Sequence, residues 1–477
     1  MIANQQQTPL YAAVKQFADA QPISFHVPGH KNGKLFAEQG LAEFQSLLSL
    51  DITELNGLDD LHAPEGVIAD AQELASEWFH SLHTFFLING STVGNLTMIL
   101  ACCQPGDMVL VQRNCHKSIL HGMELAGVKP IFLPPSYDKL KQRYIAPSTS
   151  SIKQALTNYT EAKAIILTYP DYFGDVFPLK EVIDLAHRSD TFVLIDEAHG
   201  CHFSLPFVSV PSAGELGADV VVQSAHKMTP AMTMSAYLHV YTSAVPLERV
   251  HYYLQLLQSS SPSYPLMVSL DLARYYLANY TEVQYKQTLR YIKAVQECFV
   301  APDYWEVEVN DDPLKMTLRI HDHLSASQVQ ALFEEQGIYP ELITDRHVLF
   351  IFGLEPVYPL EQLQKRLATI RDSLKHIRHA KIDVDPLFFE EETVSLALSY
   401  QQMNQQHTRW CRWEEAAGKI AAEAIIPYPP GIPLIAKGER IKGATVAKIK
   451  QLFQLSIGFQ PSNPHKGIYV YEAAEGE

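Results

Sequence analysis

The feature that most constrains this chain is a series of short, wholly apolar runs separated by amphipathic stretches. "TFFLI", "DMVLVQ", "AKAIILT", "TFVLI" and "ADVVV" each have strand length, and none alternates with polar residues. Between and around them "EGVIADAQELASEWFH", "VGNLTMILACC" and "LKEVIDLAHRS" repeat apolar residues at helical spacing. A strand apolar on both sides must be covered on both faces, so the pattern predicts an α/β fold with a mostly parallel sheet between helices. In such sheets ligands bind beyond the carboxyl ends of the strands. Those ends here carry Asn89-Gly90-Ser91-Thr92, then His116, then Asp196 with His199, and finally Ser224-Ala225-His226-Lys227. The alignment predicts one site.

A chain of 477 residues exceeds one compact core. The changes of pattern predict an arm over 1–65, a large domain over 66–285, a small αβ domain over 286–378 and a C-terminal subdomain over 379–477. The arm reads as loop-rich, with "HVPGHKNG" and "DITELNGLDDLHAPEG". The small domain carries "YWEVEVN", "KMTLRIHD" and "HVLFIFGL", and the proline-dense "IIPYPPGIPLIAKGE" reads as extended chain. A formal charge of −16 argues against nucleic acid or an anionic membrane as partner. Six cysteines without a C-x-x-C pair, no signal-like start and no membrane-length apolar run predict a cytoplasmic protein with free thiols.

Several motifs have competing readings. "DEAH" at 196–199 matches a nucleotide-binding box of helicases, but the chain has no G-x-x-x-x-G-K-[ST] loop to accompany it. His199, Cys201 and His202 beside Asp196 lack a standard zinc spacing, so no metal site is expected. Ser91 and Thr92 could cap a helix, or with Gly90 they could present a helix N-terminus to a phosphate. His116 could be an ordinary polar group or a stacking ring. Asp196 needs a turn to cap or a cation to pair with, because burying it alone is costly. Lys227 is either a solvated lysine or an amine whose pKa falls near an apolar floor, fit to form an imine. Together these parts match pyridoxal phosphate, which needs a phosphate cradle, an acid for its ring nitrogen, a stacking ring and an imine-forming lysine. In that reading Lys227 holds the aldehyde, while Ser224 and His226 approach the phosphate.

With those motifs in order, and with "RNCHKS" and "LLQSSSPSYPLMVSLD", nearly the whole chain resembles the Orn/Lys/Arg decarboxylases of the fold-type-I pyridoxal-phosphate enzymes, in their short form. The resemblance implies a lyase that decarboxylates a basic amino acid, arginine ahead of lysine or ornithine, in polyamine biosynthesis. It implies Lys227 as the Schiff-base lysine, Asp196 beside the pyridine nitrogen, His116 stacked on the ring and His199 next to it. Gly90, Ser91, Thr92, Ser224 and His226 would hold the phosphate, and Lys227 or His226 would return a proton to Cα. Glu341 in "GIYPEL" is the candidate for the substrate's distal cation. Ser259, Ser260 and Ser261 are candidates to reach a partner subunit in a homodimer that could pair into a tetramer. Asp171 stands where the family usually has threonine, and "SYQQMNQQH" replaces a stretch of the type "SPREAFF". An aminotransferase or another lyase using the same cofactor, or a silent cofactor-binding paralogue, would share the same strand-end set.

Overall fold

The computed structural model describes residues 4–376, 389, 392–428, 432–454, 458–460 and 466–472. The boundary expected at 378–379 lies outside the described residues, as do Pro429, Pro430 and Gly431 of the proline-dense stretch. Two helices, α1 (Pro9–Asp19) and α2 (Leu41–Leu50), occupy the segment read as a loop-rich arm. They fold because Leu10, Val14 and Leu48 are buried, a long-range effect that local pattern does not reveal. The free N–H groups of Leu10 and Tyr11 at the start of α1 donate to Asp271, which also accepts from buried Arg274. The chain then turns outward, leaving Ile23, Phe25 and Val27 exposed.

Next come α3 (Val67–Trp78), β1 (His83–Leu87), α4 (Gly90–Cys102), β2 (Met108–Gln112), α5 (Lys117–Ala126) and β3 (Lys129–Leu133). A hairpin of β4 (Ser136–Asp138) and β5 (Arg143–Ile145) precedes α6 (Thr149–Asn158), β6 (Ala164–Thr168), α7 (Leu179–His187) and β7 (Phe192–Asp196). Then β8 (Val220–Gln223) runs into the one-turn helix α8 (Ala225–Met228), followed by β9 (Ala236–Val240). The sheet order is β1-β9-β8-β7-β6-β2-β3, with Val394–Ser395 pairing at the far edge. From β8 to β3 neighbouring strands are parallel, while β9 is antiparallel to both β8 and β1. The mostly parallel sheet thus matches the expectation.

Side chains alternate across this sheet. Leu194, Val220 and Val222 pack with Val93 and Met98 of α4 on one face. Ile195 and Val221 pack with Ile152 of α6 and Val182 of α7 on the other. Each aliphatic side chain so buried contributes about 1.5–3 kcal/mol. Helix α4 lies unusually close to the sheet at Gly94, where a Cβ would meet Val222 Cγ1 at 2.6 Å and Leu87 Cδ1 at 2.8 Å. That approach sets the next residue, Asn95, against the end of β7.

Helices α9 (Leu247–Leu257), α10 (Tyr264–Asn279) and α11 (Glu282–Phe299) lead to a second sheet with its own core around Trp305, Leu318, Phe333 and Val348. This antiparallel sheet has the order β10 (Trp305–Val309), β11 (Lys315–Ile320), β13 (His347–Ile351), β12 (Leu342–Ile343). Further on, Thr408–Arg412 pairs with Gly467–Tyr471 and Ile426–Tyr428 with Gly458–Gln460, near a cluster that includes Trp413, Ile425 and Ile468. No described helix is long and apolar enough to cross a membrane.

Candidate active site

Asp196 is the last residue of β7, buried between β6 and β8. Its Oδ1 accepts the Ala198 N–H at 3.2 Å, and its Oδ2 accepts Asn95 Nδ2 at 2.9 Å. Asn95 also donates to Ser118 Oγ at 2.9 Å, and Ser118 Oγ lies 2.8 Å from His116 Nδ1. His116 caps α5, with Nδ1 accepting the Ser118 N–H at 3.2 Å. The residue as a whole is exposed, while its Nδ1 edge is tied to buried Ser118. Desolvation pushes its pKa down, and Lys227 and Lys117 add to this against the pull of Asp196.

Lys227 sits on α8, directly after β8, with Nζ 3.3 Å from His199 Nε2. Burial lowers its pKa, and the carboxylates of Asp196 and Glu341 oppose the shift. Burial also holds His199 well below the ordinary histidine value, with Lys315 and Lys227 adding to the effect. Its other nitrogen, Nδ1, is buried without a hydrogen-bond partner among the described residues. Ser224, fully buried before α8, donates to Ser91 Oγ at 2.9 Å, which joins the mouth of β8 to the first turn of α4. Gly90 opens that turn with φ +72°, where a side chain would be strained, and nothing lies within 4 Å of its missing Cβ. Thr92 is exposed on the same turn. His226 Nδ1 is 3.0 Å from the Ser235 carbonyl, so it carries the proton and leaves Nε2 as an acceptor.

The strand-end residues singled out from sequence therefore share one region. Glu341 joins them indirectly: its Oε1 accepts the Tyr172 hydroxyl at 2.6 Å, and the Tyr172 ring lies 4.6 Å from the His199 ring. Ser259, Ser260 and Ser261 are exposed between α9 and α10. The Ser259 carbonyl is 2.8 Å from His62 Nε2, and neighbouring Gln258 accepts the Ile88 N–H at 2.9 Å. Asp171 is buried and accepts the Asp175 N–H; burial and the Asp175 carboxylate push it up to about 6 despite Arg143. His202, which shares a motif with His199, turns away from it to meet Asp312 at 3.0 Å, both side chains fully buried.

Sequence reasoning missed Asn95, Ser118, Tyr172 and Lys315. A polar residue inside the apolar helix "VGNLTMILACC" was the available signal for Asn95. Lys315 gives none: it is a lone lysine on a strand, fully buried, donating to the Tyr172 carbonyl at 2.9 Å.

This donor set fits pyridoxal phosphate. It offers a buried carboxylate for a ring nitrogen, a capping imidazole for a ring face and a desolvated amine. It also has an open helix start with hydroxyls for a phosphate, and the unpartnered His199 Nδ1 leaves a hydrogen-bonding position to fill.

Residues 8–356 match the family model described as Orn/Lys/Arg decarboxylase, major domain, and residues 385–464 match the C-terminal domain of the same family. The chain is 42% identical over 466 residues to the uncharacterized protein YaaO of Bacillus subtilis, covering 95% of this chain and 96% of that one. It is 33% identical to an arginine decarboxylase of the same organism, covering 94% of each. Among solved structures it is similar to the Francisella novicida lysine decarboxylase LdcF, with a TM-score of 0.81 and 19% identity over 97% of this chain and 81% of that one. A more distant fold neighbour is a variant serine palmitoyltransferase from S. paucimobilis solved with a bound PLP–myriocin aldimine, with a TM-score of 0.53 and 15% identity over 72% and 84%.

Proposed function

The chain belongs to the Orn/Lys/Arg decarboxylase family, and from that premise we propose that it removes the α-carboxylate of arginine, with Lys227 as the residue that carries the cofactor. The protein is a pyridoxal-phosphate-dependent decarboxylase of basic amino acids. The observation that carries the assignment of Lys227 is its place: a desolvated amine on the turn after β8, beside Asp196 and within reach of His199. Arginine is favoured over lysine and ornithine by the 33% identity to an arginine decarboxylase across 94% of both chains.

When bound, the cofactor supplies an electron sink for the pair left at Cα as carbon dioxide departs. The chain's residues prepare that step. Asp196 presents a buried carboxylate where the ring nitrogen would lie, so positive charge there is favoured. His116 offers a ring face. Ser91, Ser224 and the opening N–H groups of α4 suit the phosphate. Lys227, its pKa lowered by burial, can deliver a proton to Cα in place of the departed carboxylate. Neutral His226 is a poorer donor, because its proton is engaged by the Ser235 carbonyl. Glu341, already accepting from Tyr172, is positioned to exchange that bond for the distal cation of the substrate.

A homodimer, able to pair into a tetramer, agrees with the exposed Ile23, Phe25 and Val27 of the arm, which a second copy would cover. Free buried thiols agree with a cytoplasmic setting. Carbon dioxide and amine release from arginine, lysine and ornithine, assayed side by side on the cofactor-loaded protein, tests the substrate. Faster turnover of lysine or ornithine than of arginine would refute the arginine reading, and a yellow, inert protein would refute the assigned activity.

A further inference from the structure

Two buried residues of the site make no contact with reactants in this scheme. Asn95 is fully buried on α4 and Ser118 is 1% exposed on α5, yet their hydrogen bonds form a directed chain. Asn95 Nδ2 has two hydrogens, one for Asp196 Oδ2 and one for Ser118 Oγ, both at 2.9 Å. Ser118 then has one hydroxyl hydrogen left, and it points to His116 Nδ1 at 2.8 Å. His116 Nδ1 is therefore an acceptor, so the proton of the neutral ring sits on Nε2. Reversing the Asn95 amide would set its oxygen against the Asp196 carboxylate, so the carboxylate fixes the amide, and the Ser118 N–H at 3.2 Å fixes Nδ1 as an acceptor at the other end. Asn95 Oδ1 is left buried without a partner among the described residues. A residue kept only for packing, such as leucine, would avoid that cost.

We infer that Asn95 and Ser118 are positioning residues that couple Asp196 to His116, holding the imidazole in one orientation with its proton on Nε2. The inference rests on the proposed roles of Asp196 and His116 beside the cofactor. Asn95→Leu strips a donor from the Asp196 carboxylate and from Ser118 Oγ, while Ser118→Ala leaves His116 Nδ1 held by the backbone N–H of residue 118 alone.

The test compares wild type, Asn95→Leu, Ser118→Ala and Ser118→Thr, each loaded with pyridoxal phosphate. It reads the pH-dependent absorbance of the bound cofactor, kcat and KM, and thermal melting. Asn95→Leu is expected to shift the absorbance midpoint and to lower kcat by about tenfold to a hundredfold, with KM changed less than about twofold. Ser118→Ala is expected to move both in the same direction by less, and Ser118→Thr, which keeps the hydroxyl, to restore them. A folded Asn95→Leu with wild-type absorbance and kcat overturns the inference. Should Asn95→Leu not fold, identical behaviour of Ser118→Ala and Ser118→Thr overturns it. Borohydride reduction and peptide mapping of the wild type separate the two levels. An adduct on a lysine other than Lys227 overturns the proposed site and this inference with it, whereas an adduct on Lys227 with unshifted variants overturns the coupling alone.

Discussion

The two walls of the candidate site are built in different ways. One wall belongs to the large sheet. Asp196, Asn95 and Ser118 are buried there, and their bonds to one another and to His116 close over short distances between β7, α4 and α5. The other wall is a seam between loop 169–176 and the second sheet. There Lys315 holds the Tyr172 carbonyl, Glu341 holds its hydroxyl, Asn310 donates to the Phe173 carbonyl and Asp312 N–H donates to the Gly174 carbonyl. The first wall is part of a hydrophobic core and exists as soon as the sheet folds. The second exists only when two separate cores are docked. Under the proposed function, the sheet wall would carry the fixed chemistry and the seam the choice of substrate.

The sharpest break of the sheet wall is Lys227→Ala. Turnover is expected to vanish, and borohydride is expected to leave no adduct at position 227, checked by peptide mapping. Asp196→Asn comes next. With cofactor bound, kcat is expected to fall by about a thousandfold or more. Near-normal kcat in a cofactor-bound Asp196→Asn protein would make the carboxylate merely structural.

At the seam the expected effects are smaller and take other forms. Burial depresses the pKa of Lys315 from 10.5 to about 8, despite nearby Asp312 and Asp171. Between those values the unfolded chain binds more protons than the folded one, so this residue makes stability rise as pH increases from about 8 to 10.5. Lys315→Met is expected to remove that rise, worth on the order of 3 kcal/mol across the window, as read by denaturant unfolding at a series of pH values. An unchanged pH slope would show that the pKa of Lys315 is not depressed in the folded chain. The mildest change, Tyr172→Phe, removes one hydrogen bond to Glu341. KM for arginine is expected to change by roughly threefold to tenfold with kcat largely kept, since the bond is partly exposed. A kcat loss matching that of Asp196→Asn would erase the distinction between the walls.

The same contrast explains what the sequence revealed. Asp196, His116 and Lys227 were legible because the end of an apolar strand is a place that local pattern can locate. Asn95 was hidden because its meaning comes from the close approach of α4 to the sheet at Gly94, a tertiary event inside an apolar run. Lys315 and Asp312 were hidden more completely, since their partners Tyr172 and His202 lie 143 and 110 residues away in the chain. His199 and His202 looked like one cluster because they are close in sequence. The one-turn 3₁₀ helix Cys201–Ser204 sends them apart, one to Lys227 and the other to Asp312. The helices of the arm were missed for the same reason as the seam, because α1 owes its start to Asp271, over 250 residues later.

The bonds that hold loop 169–176 also set how that part of the molecule can move. The carbonyls of residues 172, 173 and 174 are each claimed by β11 or by the turn between β10 and β11. A lone loop flutters one peptide at a time, at little cost for each. Here three successive peptides are pinned to another body, so they yield together or not at all. Amide hydrogens along 171–176 would exchange in step with those of 310–315, as a single cooperative opening.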